Sequence, residues 1–227
     1  MKVLIPFIIL FSISNLSFSG TFKDDFEDGD SVGWKEISGE WKVENGAYVQ
    51  FGKPPGGGGL ANTFYTLLQS PWNLGNGTIE FTFRYDIRTN ENEQVISLFR
   101  MADENGYALE ITKAGLTVYK IAGGSFASIR MEPSEVKPTK DKIKIMLDGM
   151  WIWVYLNDVL RMRVGDADFE KTRFKEGKVG FGVTAAEFPV YFEEISIEGD
   201  TVYQIPIKQP VNPAGKLSIT WGLIKTL

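Results

Sequence analysis

Trp151, Trp153 and Tyr155 occupy alternate positions of one short segment, with Ile152, Val154 and Leu156 between them. In an extended chain successive side chains point to opposite faces, so the rings share one side and the aliphatic groups the other. Pairing with the neighbouring segments decides which side is core. A two-residue turn at Asp148-Gly149 pairs Leu147 with Met150, hence Ile145 with Ile152 and Ile143 with Val154. The same register sets Lys144 opposite Trp153 and Lys142 opposite Tyr155. A three-residue loop from Asn157 to Val159 then brings Arg161 opposite Tyr155 and Arg163 opposite Trp153, with Met162 beside Val154. A two-residue loop would turn both arginines onto the aliphatic face, where an unpaired charge is costly to bury. The aliphatic face is therefore expected in the core, and the rings on a face shared with cations. Aromatic planes cover the apolar C–H faces of sugar rings, while Lys and Arg donate to hydroxyls or to uronate carboxylates. Trp151, Trp153, Tyr155, Lys144, Arg161 and Arg163 thus form the candidate carbohydrate-binding set. An open aromatic stripe needs a cover; the competing expectation is that the C-terminal segment, Trp221 in particular, packs over it.

A second set is acidic. Asp24, Asp25, Glu27, Asp28 and Asp30 crowd the start of the chain, and Glu193 and Glu194 lie near the end of the periodic region. If the first and last strands run side by side, Asp24, Asp25, Glu27, Glu193 and Glu194 are candidate ligands for a structural calcium ion, which takes carboxylate oxygens. The spacing matches no EF-hand loop, and acidic runs are usually solvated turns. A third set is the carboxylates Glu80, Glu110 and Glu187, from which a glycosidase pair would have to be drawn. No Glu-x-Asp-x-x-Glu segment is present.

Composition narrows the chemistry. The chain has no histidine and no cysteine among its 227 residues. That removes Ser-His-Asp and Cys-His catalysis, the usual zinc sites, and lipidation at a cysteine. A formal net charge of −5 argues against nucleic acid as a partner, which is bound through an excess of Lys and Arg. With 43% hydrophobic residues, the chain can build a core without disulfides.

The elements that must position these groups are short strands. Ile79, Phe81, Phe83 and Tyr85 alternate with Glu80, Thr82 and Arg84, and similar alternation marks 95–99, 107–112, 116–121, 143–147, 151–156, 179–183 and 191–197. Asn45-Gly46, Asn105-Gly106, Ala114-Gly115, Asp148-Gly149 and Asn157-Asp158 punctuate them as turns. Apolar residues nowhere recur at helical spacing over three turns. Many short strands with frequent turns predict a two-sheet antiparallel sandwich or a barrel. At the N-terminus, Lys2 followed by the apolar run Val3 to Phe11 and the small residues Ser17 and Ser19 reads as a signal peptide over 1–19, too short for an anchor. The expected location is periplasmic or extracellular, and no transmembrane segment is expected. Lys53 to Leu60, with Pro54-Pro55 and four glycines, reads as a rim loop. Residues 200–227 read as a Pro-containing extension, an added strand or a docking tail through which a protein partner would be reached.

The motifs also resemble a family. Phe22-Lys23-Asp24-Asp25-Phe26, Gly33-Trp34 and the segment Gly39 to Gly46 resemble the opening of laminin-G-like jelly rolls in the concanavalin A-like lectin/glucanase superfamily. Ile96 to Arg100 with Asn105 to Ile111, and Ile143 to Gly149 running into Trp153 to Asn157, look like the middle strands. Gly177 to Gly182 and Val190 to Ile197 look like the closing ones. The resemblance spans residues 21–199 and implies an all-β, two-sheet antiparallel jelly-roll sandwich over 20–199. Members include sugar-binding modules, laminarinase-type glycosidases and adhesive modules without catalysis. The opening is also similar to 3-keto-disaccharide hydrolase-type domains, whose closing strands carry a histidine-glycine pair that this chain lacks. With that pair and the glycosidase signature both absent, the expectation is a non-catalytic lectin-like module. The alternatives are a carboxylate-only hydrolase or lyase and a structural or adhesive protein-binding domain.

Overall fold

A computed structural model of the protein describes residues 20–51, 66–85, 94–136, 140–184 and 189–202. The predicted signal segment, the Lys53 to Leu60 loop and the extension beyond residue 202 lie outside the described residues.

Strands, numbered along the chain, form two antiparallel sheets. Sheet A runs β13 (Val159–Gly165), β12 (Trp151–Leu156), β11 (Asp141–Asp148), β6 (Gly77–Tyr85), β15 (Val190–Gly199), β4 (Tyr48–Phe51) and β3 (Glu40–Val43). The first strand, β1 (Gly20–Asp24), also pairs with β15, so the first and last described strands lie side by side. Sheet B runs β10 (Ser125–Pro133), β9 (Gly115–Ala122), β8 (Asn105–Thr112), β7 (Gln94–Ala102), β14 (Gly177–Thr184), β5 (Thr66–Leu74) and β2 (Lys35–Ser38). The expected all-β, two-sheet jelly-roll sandwich is what the chain forms. A 3-10 turn (Ala167–Glu170) and a single-turn helix (Thr172–Lys175) bridge β13 to β14.

The core lies between the sheets and is dominated by rings. Phe181 of sheet B meets Phe81 and Phe192 of sheet A at ring-centroid distances of 4.9 and 5.6 Å, and Trp34 at 5.7 Å. Phe22 of β1 sits 4.4 Å from Trp72 of β5. The phenylalanine rings are buried, Trp34 is half-buried, and each gains a tilted or edge-on partner, so burial and geometry favour the same packing. A smaller apolar cluster of Ile96, Leu98, Met101, Ala108 and Ile121 is buried on the outer side of sheet B, with Tyr119 and Phe126 packed against it.

Turn chemistry sets the registers. Asn157 and Asp158 both hold positive φ, 51° and 63°, as a two-residue primed turn demands. Asn45 and Gly46 do the same between β3 and β4, at 53° and 69°. At the hairpin of β11 and β12 the loop is Gly149-Met150, with Asp148 facing Trp151. The Asn105-Gly106 turn is likewise displaced, because Ala102 pairs with Asn105 and leaves Asp103-Glu104 as the loop. The strand least visible in the sequence is β10, an edge strand whose residues are mostly exposed and carry no alternation.

Phe181→Ala, at the meeting of the two sheets, should lower unfolding free energy by about 3–5 kcal/mol. Met131→Ala, on the edge strand and 59% exposed, should change it by less than about 0.5 kcal/mol. Chemical denaturation of the two variants beside the parent chain checks both.

Candidate functional site

The buried and half-buried positions of β12 alternate as the sequence requires. Ile152, Val154 and Leu156 are buried, while Trp151, Trp153 and Tyr155 are half-buried on the outer face of sheet A. The register on β11 differs from expectation by two residues: Tyr155, not Trp153, faces Lys144, and Trp153 faces Met146. The loop is displaced by one residue towards Gly149, whose φ of +52° suits the first position of a primed turn. A two-residue slip preserves side-chain parity, so the inward and outward sets survive it.

On the other side Arg163 faces Trp153 and Met162 faces Val154, as expected, but Tyr155 faces Leu160 rather than Arg161. The turn has two residues, and a bulge between Val154 and Tyr155 restores parity, which keeps Arg161 and Arg163 outward and Met162 buried. The alternatives weighed from the sequence were a two- or a three-residue loop without a bulge; the chain uses the short turn and corrects it with a bulge.

The guanidinium of Arg163 lies 3.7 Å from the ring centroid of Trp151 and 5.6 Å from that of Trp153. Trp151 also packs on Gly165, where a Cβ would come within 2.7 Å of the ring. One face of Trp151 is thus taken by Arg163. From Tyr155 a row of outward residues crosses the sheet through Lys144, Glu80, Ser196 and Lys23, one per strand. Lys142 bridges Glu80 at 3.0 Å and Asp158 at 3.2 Å, and Glu80, Lys142 and Ser196 help line a depression of about 140 Å³ in this face. Trp221 lies outside the described residues.

The acidic residues are dispersed among separate partners. Asp24 accepts from the backbone N–H of Phe26 and from Trp34 Nε1, both at 3.0 Å. Burial pushes its carboxyl up to about 6. Asp25 accepts from the Glu27 N–H at 3.3 Å. Glu193 pairs with Arg84 at 2.7 Å and Lys140 at 2.6 Å, and Glu194 with Lys23 at 2.6 Å. Among the described residues no group of three or more carboxylates is gathered around a common point. Adjacency of the first and last strands therefore brings Lys23, rather than a carboxylate, to Glu194.

The carboxylates named for glycosidase chemistry are separated by the sandwich itself. Glu80 lies on the outer face of sheet A, Glu110 pairs with Ile96 on the outer face of sheet B, and Glu187 falls outside the described residues. With two sheets about 10 Å apart between them, Glu80 and Glu110 cannot flank one glycosidic bond. Glu110 is half-buried beside the outer apolar cluster; burial pushes its carboxyl above the usual glutamate range, and Tyr119 Oη donates to it at 3.0 Å.

Two assemblies were not legible in the sequence. Lys120 bridges Asp166 and Asp168, with Tyr107 Oη donating to Asp166 at 3.1 Å, which closes the 3-10 turn onto sheet B. Hydrogen bonding from Lys120 and Lys171 holds Asp168 down at about 2. At one end of the sandwich Arg100, only 2% exposed, lines a cavity of about 550 Å³. The available signal for Arg100 was a single cation in the otherwise apolar run of β7.

The fold is a two-sheet antiparallel jelly-roll sandwich. The chain is similar in structure to a carbohydrate-binding module from Bacillus subtilis, with a TM-score of 0.53 and 17% identity over 74% of this chain and 93% of that one. It is similar to a beta-glucanase of Bacillus licheniformis, with a TM-score of 0.58 and 10% identity over 78% and 97% of the two chains. A Bacillus subtilis protein described by its galectin-like fold matches with a TM-score of 0.57 and 11% identity, over 80% and 96%. No protein-family model matches the chain, and no curated protein is similar to it.

Glu110→Gln keeps an acceptor for Tyr119 while removing the buried charge. Because the folded carboxyl titrates above its unfolded value, its protonation favours the folded state at low pH, and that contribution is lost as pH rises through the folded pKa. The variant should therefore be more stable than the parent at pH 7 and gain nothing near pH 3.5; urea unfolding at the two pH values measures the difference.

Proposed function

We propose that the protein is an exported, non-catalytic carbohydrate-binding module of laminin-G-like type whose glycan lies on the outer face of sheet A. The observation that carries this reading is the half-buried stripe of Trp151, Trp153 and Tyr155 continued by the polar row from Lys144 across to Lys23. Rings offer stacking surface for the C–H faces of a sugar, and the row offers alternating donors and acceptors to its hydroxyls. Because Arg163 covers Trp151, the stacking surface is Trp153 and Tyr155, with Arg163 at its edge and Arg161 exposed beyond. The names of two structural neighbours, a carbohydrate-binding module and a beta-glucanase, agree with a carbohydrate ligand. The placement of Glu80 and Glu110 on opposite outer faces favours binding over hydrolysis. Export rests on Lys2, the apolar run after it and the small residues before position 20.

A glycan-array screen of the protein lacking residues 1–19, run with calcium and with chelator and followed for product release, tests the reading. Binding without turnover is the expected result, and loss of binding in chelator would add a calcium site. Turnover would replace the module with an enzyme, and silence across a broad array would shift the role to a protein partner. On any glycan bound, Trp153→Ala should weaken affinity about 10-fold or more while the urea midpoint stays near that of the parent. The opposite pattern, unchanged affinity with about 3 kcal/mol of lost stability, would make the stripe a packing surface.

A further inference from the structure

The end of the sandwich formed by the β5–β6 and β11–β12 turns holds a buried charge, that of Arg100, with which none of the described carboxylates forms an ion pair. Arg100 lies in a bulge of β7: Phe99 pairs with Tyr107 and Ala102 with Asn105, leaving Arg100 and Met101 out of register. Its backbone is left-handed, with φ +53°, a conformation that costs a non-glycine residue about 1 kcal/mol. Two glycines on the flanking strands make room for it. A Cβ on Gly106 would stand 2.9 Å from Arg100 O, and one on Gly177 would stand 2.4 Å from Arg100 C. Bulges of this kind re-aim a side chain, and here the guanidinium turns into the cavity at the sandwich end.

Every hydrogen-bond partner of the guanidinium is neutral. Nε donates to Gly75 O at 2.9 Å, one Nη to Gly149 O at 3.3 Å, and the other to Asn76 Oδ1 at 3.0 Å. The Phe169 ring lies 4.7 Å beneath it. Of its five N–H groups, one on each Nη is left for an incoming acceptor. Among the described residues no carboxylate forms an ion pair with Arg100, and burial pushes its pKa down, opposed only through space by Tyr107 and Asp148. Buried charges are ordinarily paired, because the cost of desolvating them is otherwise uncompensated. This one lines a cavity of about 550 Å³, within the range of small-ligand sites.

We propose that this cavity binds a carboxylate-bearing sugar unit, a uronic acid or comparable sugar acid, with its carboxylate on Arg100. The anion accepts the two remaining Nη–H groups and supplies the missing countercharge. Phe169, stacked on Tyr107 at 4.0 Å, backs the guanidinium and holds its plane in place. Lys175, at the exposed rim, adds a second cation, while Glu176 and Asp200 on the same rim offer acceptors to hydroxyls and disfavour a dianion such as phosphate. Neither Trp151, Trp153 nor Tyr155 lines this cavity.

Isothermal titration of the protein lacking residues 1–19 with glucuronate, with glucose and with inorganic phosphate tests the proposal. Glucuronate should bind about 10–100-fold more tightly than glucose, the ratio that a hydrogen-bonded charge supplies, and phosphate should not compete with it. Lys175→Glu should weaken glucuronate about 3-fold or more by reversing one rim charge. Arg100→Lys, which keeps the charge but loses the fork, should weaken it further, and if that variant does not fold, Lys175→Glu carries the test. Trp153→Ala should leave glucuronate binding unchanged, which separates this site from the sheet face. Equal affinity for glucose and glucuronate, no heat with glucuronate, displacement by phosphate, or indifference to Lys175→Glu would each overturn the proposal.

Discussion

The contact between Phe181 of sheet B and Phe81 and Phe192 of sheet A is the constraint on which the rest depends. It holds the sheets together through rings that meet edge-on or tilted, and so fixes which side of each strand is inward. Once the inward side is fixed, the two-residue period of a strand leaves no freedom about the outward one. The stripe on β12 and the row from Tyr155 to Lys23 are outward because their neighbours are needed inside.

That dependence explains how bulges work in this fold. A two-residue turn at Asn157-Asp158 alone would have inverted β13 and brought Arg161 and Arg163 against Val154 and Ile152. The bulge between Val154 and Tyr155 absorbs the mismatch at the cost of one unpaired position, Arg161. At Arg100 a bulge does the reverse: it takes a residue out of the alternation and turns its charge toward the sandwich end. The same device protects the core in one place and places a cation at its margin in the other.

Parity explains how much of this was legible in the sequence. Faces were readable wherever aliphatic and polar residues alternate, as at Ile79 to Tyr85 and Trp151 to Leu156, because burial alone decides them. Registers were less readable. Asp148-Gly149 and Asn105-Gly106 mark hairpins correctly, but the dipeptide does not place the loop, which is Gly149-Met150 in one and Asp103-Glu104 in the other. Edge strand β10 was not readable, since a strand that is exposed on most positions carries no hydrophobic period. Arg100 was visible only as an oddity in an apolar run; its role comes from Gly75, Asn76 and Gly149, which are distant in sequence and meet it only after both sheets have closed.

The distribution of charge follows from the same geometry and bears on what chemistry the molecule can perform. A sandwich of this thickness isolates its two outer faces, so titratable groups cooperate only within one face or around one end. On sheet A the carboxylates are paired with cations: Glu80 with Lys142, Glu193 with Arg84 and Lys140, Glu194 with Lys23. Against the opposing effect of burial, hydrogen bonds from Lys140 and Arg84 hold the Glu193 carboxyl below the usual glutamate range. On sheet B, Glu110 is the reverse case: its carboxyl is pushed up by burial but held by Tyr119 beside an apolar cluster, with no second carboxylate on the described part of that face. Glu80 and Glu110 are thus held on opposite outer faces, while on β1 of sheet A burial pushes the Asp24 carboxyl up to about 6. The sandwich keeps Glu80 and Glu110 from sharing one proton-transfer step, so each outer face presents its rings and fixed charges separately.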